Sequence, residues 1–332
     1  MIVDVPAVEQ ELARIQRELT NSEVRTSLFN LVVFSPDAEK TMANEALNYL
    51  LGKRAARVIH IVNGAAHENP TEESRLDVSA RCFIDTERKS VCFQEIVITN
   101  GSDGAGGAPG SWVPLLVRDI PTLILWQDTL CDNQDLLAHA QEQAEKLLVD
   151  TEQSVALGDP EDAILEVVHR IVVTDRIPVS DFAFKRLRTL QRLVASAFDD
   201  PKRTPLLDEI SSVDLAGTSS PAGRLFSLWL ADRLGWTIDG AHFRDRRNRP
   251  VAFNHTQVAV GCSAEVHIDL MTSERIHIAM QTAGCADVDY PEGEESHPVV
   301  SVPGNGELLL EEVDAIGSDA LYRNALRVLD RY

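Results

Sequence analysis

The sequence predicts an α/β N-terminal domain with a mixed sheet, residues 1–155, followed by an α+β C-terminal domain, residues 156–332, in which helices precede an antiparallel sheet. Three observations predict it. Apolar strand-like runs alternate with helix-spaced segments through the first half, the pattern of βαβ units. Helical periodicity then dominates up to Gly235. From Trp236 onward short strand-like runs take over. At 332 residues the chain is long for one core and comfortable for two.

In order, Val8, Leu12, Ile15 and Leu19 recur at helical spacing, so 6–20 reads as an amphipathic helix. LFNLVVFS (28–35) is a compact apolar strand. A helix over roughly 37–51 follows Ser35-Pro36 and ends at Gly52. RVIHIVNG (57–64) is a second buried strand, and the β-α-β order suggests a parallel pair. RLDVSARCFID (75–85) and KSVCFQEIVIT (89–99) read as an antiparallel hairpin. PTLILWQ (121–127) is nearly all apolar, as a central strand closed on both faces should be. Residues 132–146 look helical, and LLVDT (147–151) looks like one more strand.

In the second half, 160–173 and 181–199 read as helices. Phe184, Leu187, Leu190, Val194 and Phe198 form one apolar face of the latter, with Ser180 as its cap. A third helix carries Pro221 just inside its start and ends at Gly235. Strands are expected at 236–243, 250–255, 257–270, 274–286 and 298–310, then a last helix over 317–331.

Hydrophobic residues make up 44% and charged residues 25%, a globular balance. The formal charge of −21 opposes binding to nucleic acid or to an anionic membrane surface. No run approaches the roughly 18 apolar residues of a membrane span. The start, MIVDVPAVEQELARIQREL, is acidic and amphipathic, unlike a signal peptide. Five cysteines, an odd number, do not read as a disulfide framework, and a reducing cytoplasm is expected.

The stretch ITNGSDGAGGAPGSWVP (98–114) packs five glycines between Gly101 and Gly110. A Walker loop needs Lys-Ser/Thr after its last glycine, but Ser111-Trp112 follow Gly110. Gly104 and Gly106 start a G-x-G-x-x-G pattern whose last position is Pro109. With the preceding strand assigned to the hairpin, the stretch reads as a connector rather than a phosphate loop.

Glu265, His267 and Asp269 alternate along one strand, with Arg275 and His277 on the next. A hairpin that keeps the apolar faces together sets His267 opposite His277 and Asp269 opposite Arg275. Two histidines and a carboxylate could bind zinc. A solvated sheet face with an Asp269–Arg275 ion pair is the plainer expectation, and no metal is assigned. The sequence contains no G-x-S-x-G, H-E-x-x-H or C-x-x-C.

Arg244, Arg246, Arg247 and Arg249 cluster in HFRDRRNRP (242–250) and could clamp a phosphate or an acidic partner. A solvated hairpin turn is the simpler reading. Lys185, Arg186, Arg188 and Arg192 likewise read as the wet face of a helix. Cys82 and Cys92 face each other if the hairpin turns at Thr86–Arg88. Two buried thiols are expected, with a redox-sensitive pair as the alternative.

LFNLVVF, RVIHIV, CFQEIVI, VPLLVRDIPTLILWQ, LLVDT, SDFAFKRLRTLQRLVASAFDDP and SLWLADRLGW, in that order, resemble the glucose-6-phosphate dehydrogenase assembly protein family, OpcA, over roughly residues 25–236. The strongest pieces are D-x-P-x-x-x-x-W, ending at Trp126, and W-L-A-x-R-L-G-W, Trp229 to Trp236. The positions matching the family's motifs are Arg57, Glu95, Asp119, Pro121, Trp126, Asp150, Asp181, Arg186, Leu187, Asp199, Trp229, Gly235 and Trp236. The chain departs from the family at Ala55-Ala56, where proline and serine are usual. It departs also at Phe184 and Leu190, often tryptophan, and at Gln127, the second place of a double tryptophan.

The resemblance implies a non-catalytic partner of glucose-6-phosphate dehydrogenase in the oxidative pentose phosphate pathway. Such a protein promotes the enzyme's oligomerisation and tunes its activity as an allosteric effector. It needs no cofactor. In photosynthetic bacteria the family is linked to redox control of that enzyme. The alternative is an enzyme or sensor for a sugar phosphate or nucleotide that uses Arg244–Arg249 as its anion site.

Overall fold

The computed structural model describes residues 3–20, 27–36, 42–63, 74–84, 90–101, 107–174, 176–240, 242–257, 264–281 and 284–330. In chain order the elements are α1 (Val5–Thr20), β1 (Phe29–Ser35), α2 (Met42–Leu50), β2 (Ala56–Val62), β3 (Arg75–Ile84), β4 (Ser90–Thr99), α3 (Pro109–Trp112), β5 (Thr122–Trp126), α4 (Gln134–Gln141), β6 (Lys146–Val149), α5 (Thr151–Ala156), α6 (Glu161–Thr174) and β7 (Val179–Asp181). They continue with α7 (Phe182–Arg186), α8 (Arg188–Ser196), β8 (Ile210–Ala216), α9 (Ser220–Leu234), β9 (Thr237–Asp239), β10 (His242–Arg244), β11 (Pro250–Thr256), β12 (Glu265–Leu270), β13 (Arg275–Met280), β14 (Ala286–Asp289), β15 (Glu295–Ser296), α10 (Asn305–Asp314) and α11 (Ala320–Leu326). The architecture is α/β, with two mixed sheets and helices. No helix among the described residues is long and apolar enough to cross a membrane.

The chain divides into two compact units. One comprises Met1–Pro160, Asp175–Ser180 and Gly304–Ser318, the other Glu161–Thr174, Asp181–Pro303 and Asp319–Tyr332.

The sheet of the first unit runs β3-β4-β2-β1-β5-β6-β7. Strands β4, β2, β1, β5 and β6 are parallel neighbours, and β3 joins antiparallel at the edge. Without β3 this is the strand order of the doubly wound dinucleotide-binding sheet. Every residue of β1, β2 and β5 is buried, because a central parallel strand is covered on both faces. The sequence places β4 in the hairpin alone. The structure also pairs β4 in parallel with β2, so the glycine stretch lies in a parallel crossover that passes through α3 to β5. Gly104 and Gly106 fall outside the described residues, as do 37–41 of the expected second helix and the turn Thr86–Arg88.

Cys82 and Cys92 are joined in a disulfide rather than left as two thiols. The antiparallel register sets them directly opposite, with Cα atoms 4.1 Å apart, which brings the sulfurs within bonding reach. Helix α1 buries Val8, Leu12 and Gln16, and Leu19 is 49% exposed. The inward Gln16 finds a partner in Gln94, whose Nε2 donates to Gln16 Oε1 at 3.4 Å.

The strand expected at 298–310 is replaced by α10. Pro303 cannot donate to a ladder, and the Glu307 carboxylate accepts the Gly304 amide at 3.0 Å, a helix-start device. Leu308, Leu309 and Val313 then fall on one buried side. Helix α10 packs against α2, where Gly306 lets the backbone approach the Tyr49 side chain.

The sheet of the second unit runs β15-β14-β13-β12-β8-β11-β10-β9. It is antiparallel except for β8 with β11, so the expected antiparallel sheet is a mixed one. Strand β8, ISSVDLA, is not anticipated from the sequence. Its serines and aspartate break the apolar run, yet Val213 and Leu215 alternate into the core. The expected helix 181–199 divides at Leu187 into α7 and α8. Its cap is Asp181, which accepts the Ala183 amide at 2.9 Å; Ser180 belongs to β7. The apolar face from Phe184 to Phe198 is buried as expected. Helix α9 is capped by Ser219, has Pro221 in its first turn and ends on Gly235 at φ 68°. The strand expected at 236–243 turns at Gly240, φ 61°, to give β9 and β10. The strand expected at 274–286 divides into β13 and β14. Only 265–270 of the run 257–270 forms β12, and 258–263 lie outside the described residues.

Candidate functional site

In a sheet of the first unit's order, ligands bind beyond the carboxyl ends of the strands where the order turns, here β1 and β5. Aromatic side chains pack together near that end. Phe34 packs on Trp126 with ring centroids 4.8 Å apart and edge-on to Trp112 at 5.8 Å. Next to them Ser35 Oγ lies 2.7 Å from His60 Nε2, both buried. Asn63 Nδ2 donates to Asp128 Oδ2 at 2.9 Å, and Asn100 Nδ2 donates to Asn63 Oδ1 at 3.3 Å.

A dinucleotide needs glycines in the first strand-to-helix turn, so that the backbone can approach the pyrophosphate, and an acid near the end of the second strand for the ribose. This chain has no glycine between Phe29 and Gly52, and β2 leads into Asn63. These residues do not fit a dinucleotide.

The family-motif positions are mostly framework. Arg57, 4% exposed, pairs with Glu9 at 2.5 Å and donates to Gln94 Oε1 and the Leu115 carbonyl, tying α1 to β2 and β4. Glu95 accepts from Arg81 at 2.9 Å across the hairpin. Asp119 takes a left-handed turn, φ 63°, just before Pro121, whose carbonyl accepts the Asn30 amide. Trp126 Nε1 donates to the Thr129 carbonyl, and Asp150 caps α5. Asp181 caps α7 and accepts from the Tyr322 hydroxyl at 3.2 Å. Burial, and then Asp181, hold that phenol well above its ordinary pKa. Leu187, Trp229 and Trp236 are core; Arg186 is half-buried; Asp199 is exposed.

In the second unit the arginine cluster occupies the β10–β11 turn, built on Asn248 at φ 60°. Asp245 accepts the amides of Arg247 and Arg249 at 2.9 and 2.7 Å. Burial opposes ionisation of Asp245, but hydrogen bonds from Arg249 and Arg247 outweigh it and hold the carboxyl below its usual range. Arg244 pairs with Asp239, Arg247 with Glu209 and Asp208, and Arg249 with Asp245 and Glu209. Arg246 makes no ion pair among the described residues and lies across Gly235. With Arg233 and Arg247 it borders a cavity of about 440 Å³. An apolar cavity of about 350 Å³, lined by Phe198, Leu207, Ile210, Trp229 and Leu230, shares Leu207, Ile210 and Arg233 with it. On the expected wet helix face, Lys185 is engaged with Asp319 at 2.9 Å.

The face of β12 and β13 has the expected register. His267 stands opposite His277 and Asp269 opposite Arg275, with an Asp269–Arg275 contact of 2.5 Å. The Arg275 hydrogen bond holds the Asp269 carboxyl below its usual range. Sequence reasoning missed Asp289, opposite His277 on β14, and Asp214, opposite His267 on β8. Both strands would have had to be recognised in register to place them.

A family model described as the glucose-6-phosphate dehydrogenase subunit N-terminal domain matches residues 48–169, and one described as the C-terminal domain of that subunit matches 177–326. A Nostoc punctiforme protein named OxPP cycle protein OpcA is 26% identical over 290 residues, covering 77% of this chain and 61% of the relative. A Synechococcus elongatus protein of the same name is 26% identical over 284 residues, covering 76% and 63%. The chain thus matches a little over three-fifths of the length of these relatives. Among solved structures, an oxidoreductase from Sinorhizobium meliloti superposes with a TM-score of 0.51 at 8% identity, over 92% of this chain and 95% of that one. That likeness is one of fold alone.

Proposed function

Since the chain belongs to the glucose-6-phosphate dehydrogenase assembly family, OpcA, we propose that it is a non-catalytic subunit of that dehydrogenase in the cytoplasm, acting in the oxidative pentose phosphate pathway. It binds the enzyme's oligomer, promotes its assembly and stabilises the form with higher substrate affinity. The observation that carries this reading is the family match across both halves of the chain. The aromatic packing of Phe34, Trp112 and Trp126 in the first unit supports it, because it lies at the turning point of a strand order of the dinucleotide-binding kind. An effector shifts an oligomer's population only by its differential affinity for the two states.

The sugar-phosphate reading of Arg244, Arg246, Arg247 and Arg249 gains no support from the turn geometry, since three of the four guanidiniums already face carboxylates. Mixing the purified chain with the dehydrogenase and following oligomer mass and the apparent KM tests the proposal. No association and no kinetic change at micromolar concentrations would sink it.

A further inference from the structure

Strands β12, β13 and β14 bring four side chains from separate places in the sequence onto one face of the second unit's sheet. Val266, Ile268, Ile276 and Ile278 point the other way and are fully buried. The alternation therefore fixes Glu265, His267 and His277 on the polar side. The two imidazoles stack nearly parallel, with centroids 4.4 Å apart and planes at 10°. Both Nε2 atoms meet one oxygen, Glu265 Oε1, at 3.0 Å from His267 and 2.6 Å from His277. A ligand atom from each of the three residues lies within 4.8 Å of the other two.

We propose that Glu265, His267 and His277 form a binding site for a divalent transition-metal ion of the zinc class, with Asp289 as the residue that orients His277. The proton arrangement supports this. Asp289 Oδ2 lies 2.9 Å from His277 Nδ1. A carboxylate there takes the Nδ1–H and fixes the tautomer that leaves a lone pair on Nε2. That lone pair faces Glu265 Oε1, itself an acceptor. Two acceptors in contact repel unless something positive lies between them. A second proton on His277 would serve that pair alone. A metal ion serves His277, His267 and Glu265 together.

The spacing is close to what an ion requires. Ligands about 2.0–2.1 Å from a tetrahedral zinc lie about 3.3 Å from each other, so each Nε2, now 3.0 or 2.6 Å from Glu265 Oε1, needs to move from that oxygen by less than an ångström, and the two stacked imidazoles must tilt towards each other to bring both nitrogens onto one ion. Two imidazoles with one carboxylate suit zinc and its neighbours; calcium and magnesium favour all-oxygen sets. Both histidine side chains retain more than a quarter of their exposure, which leaves a side open to water. Asp214, opposite His267, adds negative charge to the same face. The site is independent of the assembly role proposed above.

The test uses the full chain, stripped with chelator and titrated with Co²⁺ alone, followed by its visible d–d absorption, then with Zn²⁺ in competition with a chromophoric chelator. One equivalent should bind at micromolar concentration or below, with bands of a low-coordinate nitrogen–oxygen site. His267→Gln and His277→Gln should each abolish the bands while the far-UV circular dichroism stays unchanged. Asp289→Asn should weaken binding about 10- to 100-fold. Absence of binding, binding only at millimolar metal, or a signal that survives both histidine substitutions would overturn the site. A thiolate charge-transfer band would overturn it too, assigning the metal to cysteine.

Discussion

Lys146 Nζ lies 2.6 Å from Glu312 Oε2, and both side chains are at most 4% exposed. The pair joins β6 to α10, elements more than 150 residues apart in sequence. Lys146 also donates to the Ala315 carbonyl at 2.7 Å, closing the C-terminal end of α10. Residues 304–318 are thereby fastened into a unit otherwise built from residues 1–160 and 175–180.

Removing one partner leaves the other charge buried. Lys146→Met or Glu312→Leu alone should destabilise by about 3–5 kcal/mol. The double apolar variant should recover most of that loss, because a well-packed apolar pair replaces buried ions at little cost. Urea denaturation midpoints check both statements.

The Tyr322 hydroxyl, buried against Asp181, gives a prediction in alkali. Its pKa in the fold is raised, so its contribution to stability is present in full below the ordinary phenol pKa, about 10. Above that the unfolded chain ionises and the folded chain does not. Stability should then fall by up to about 1.4 kcal/mol per pH unit from this residue. Tyr322→Phe should lack that component. The comparison is the urea midpoint of the two proteins at about pH 9 and about pH 11.

Gly235 ends α9 in the left-handed region at φ 68°, and a Cβ there would lie 2.7 Å from Arg246 Nε. The side-chain end can move, so the backbone strain dominates. Gly235→Ala should cost about 1 kcal/mol or slightly more and lower Tm by a few degrees. A Tm equal to that of the unaltered protein would mean the turn tolerates a side chain.

Much of this architecture was legible because particular residues declare themselves. The unbroken apolar runs of β1, β2 and β5 mark buried parallel strands, and Pro221 with Gly235 brackets α9. The facing of His267 with His277 follows from alternation together with a hairpin that keeps the apolar faces together. Three things stayed hidden for physical reasons. LLL in α10 satisfies a strand pattern as well as a helix pattern, and the deciding groups, Pro303 and Glu307, lie at its edge. Polar Ser211, Ser212 and Asp214 disguise β8, although its neighbours on both sides supply the pairing. The second, parallel partner of β4 is a long-range choice that no local pattern encodes.

The candidate sites were legible to a different degree. Arg244, Arg247 and Arg249 look like an anion clamp in one dimension. In three dimensions Asp239, Asp208 and Glu209 meet them, and the last two come from a segment some forty residues earlier. The histidine pair was visible, but Asp289, the group that sets the tautomer of His277, was not.

The most direct test of the central proposal is the mass of glucose-6-phosphate dehydrogenase complexes, measured with and without the full chain at micromolar concentrations, alongside the apparent KM for glucose 6-phosphate in the same samples. The assembly role predicts a heavier complex containing both proteins and a lower KM. An unchanged mass distribution together with an unchanged KM would contradict it.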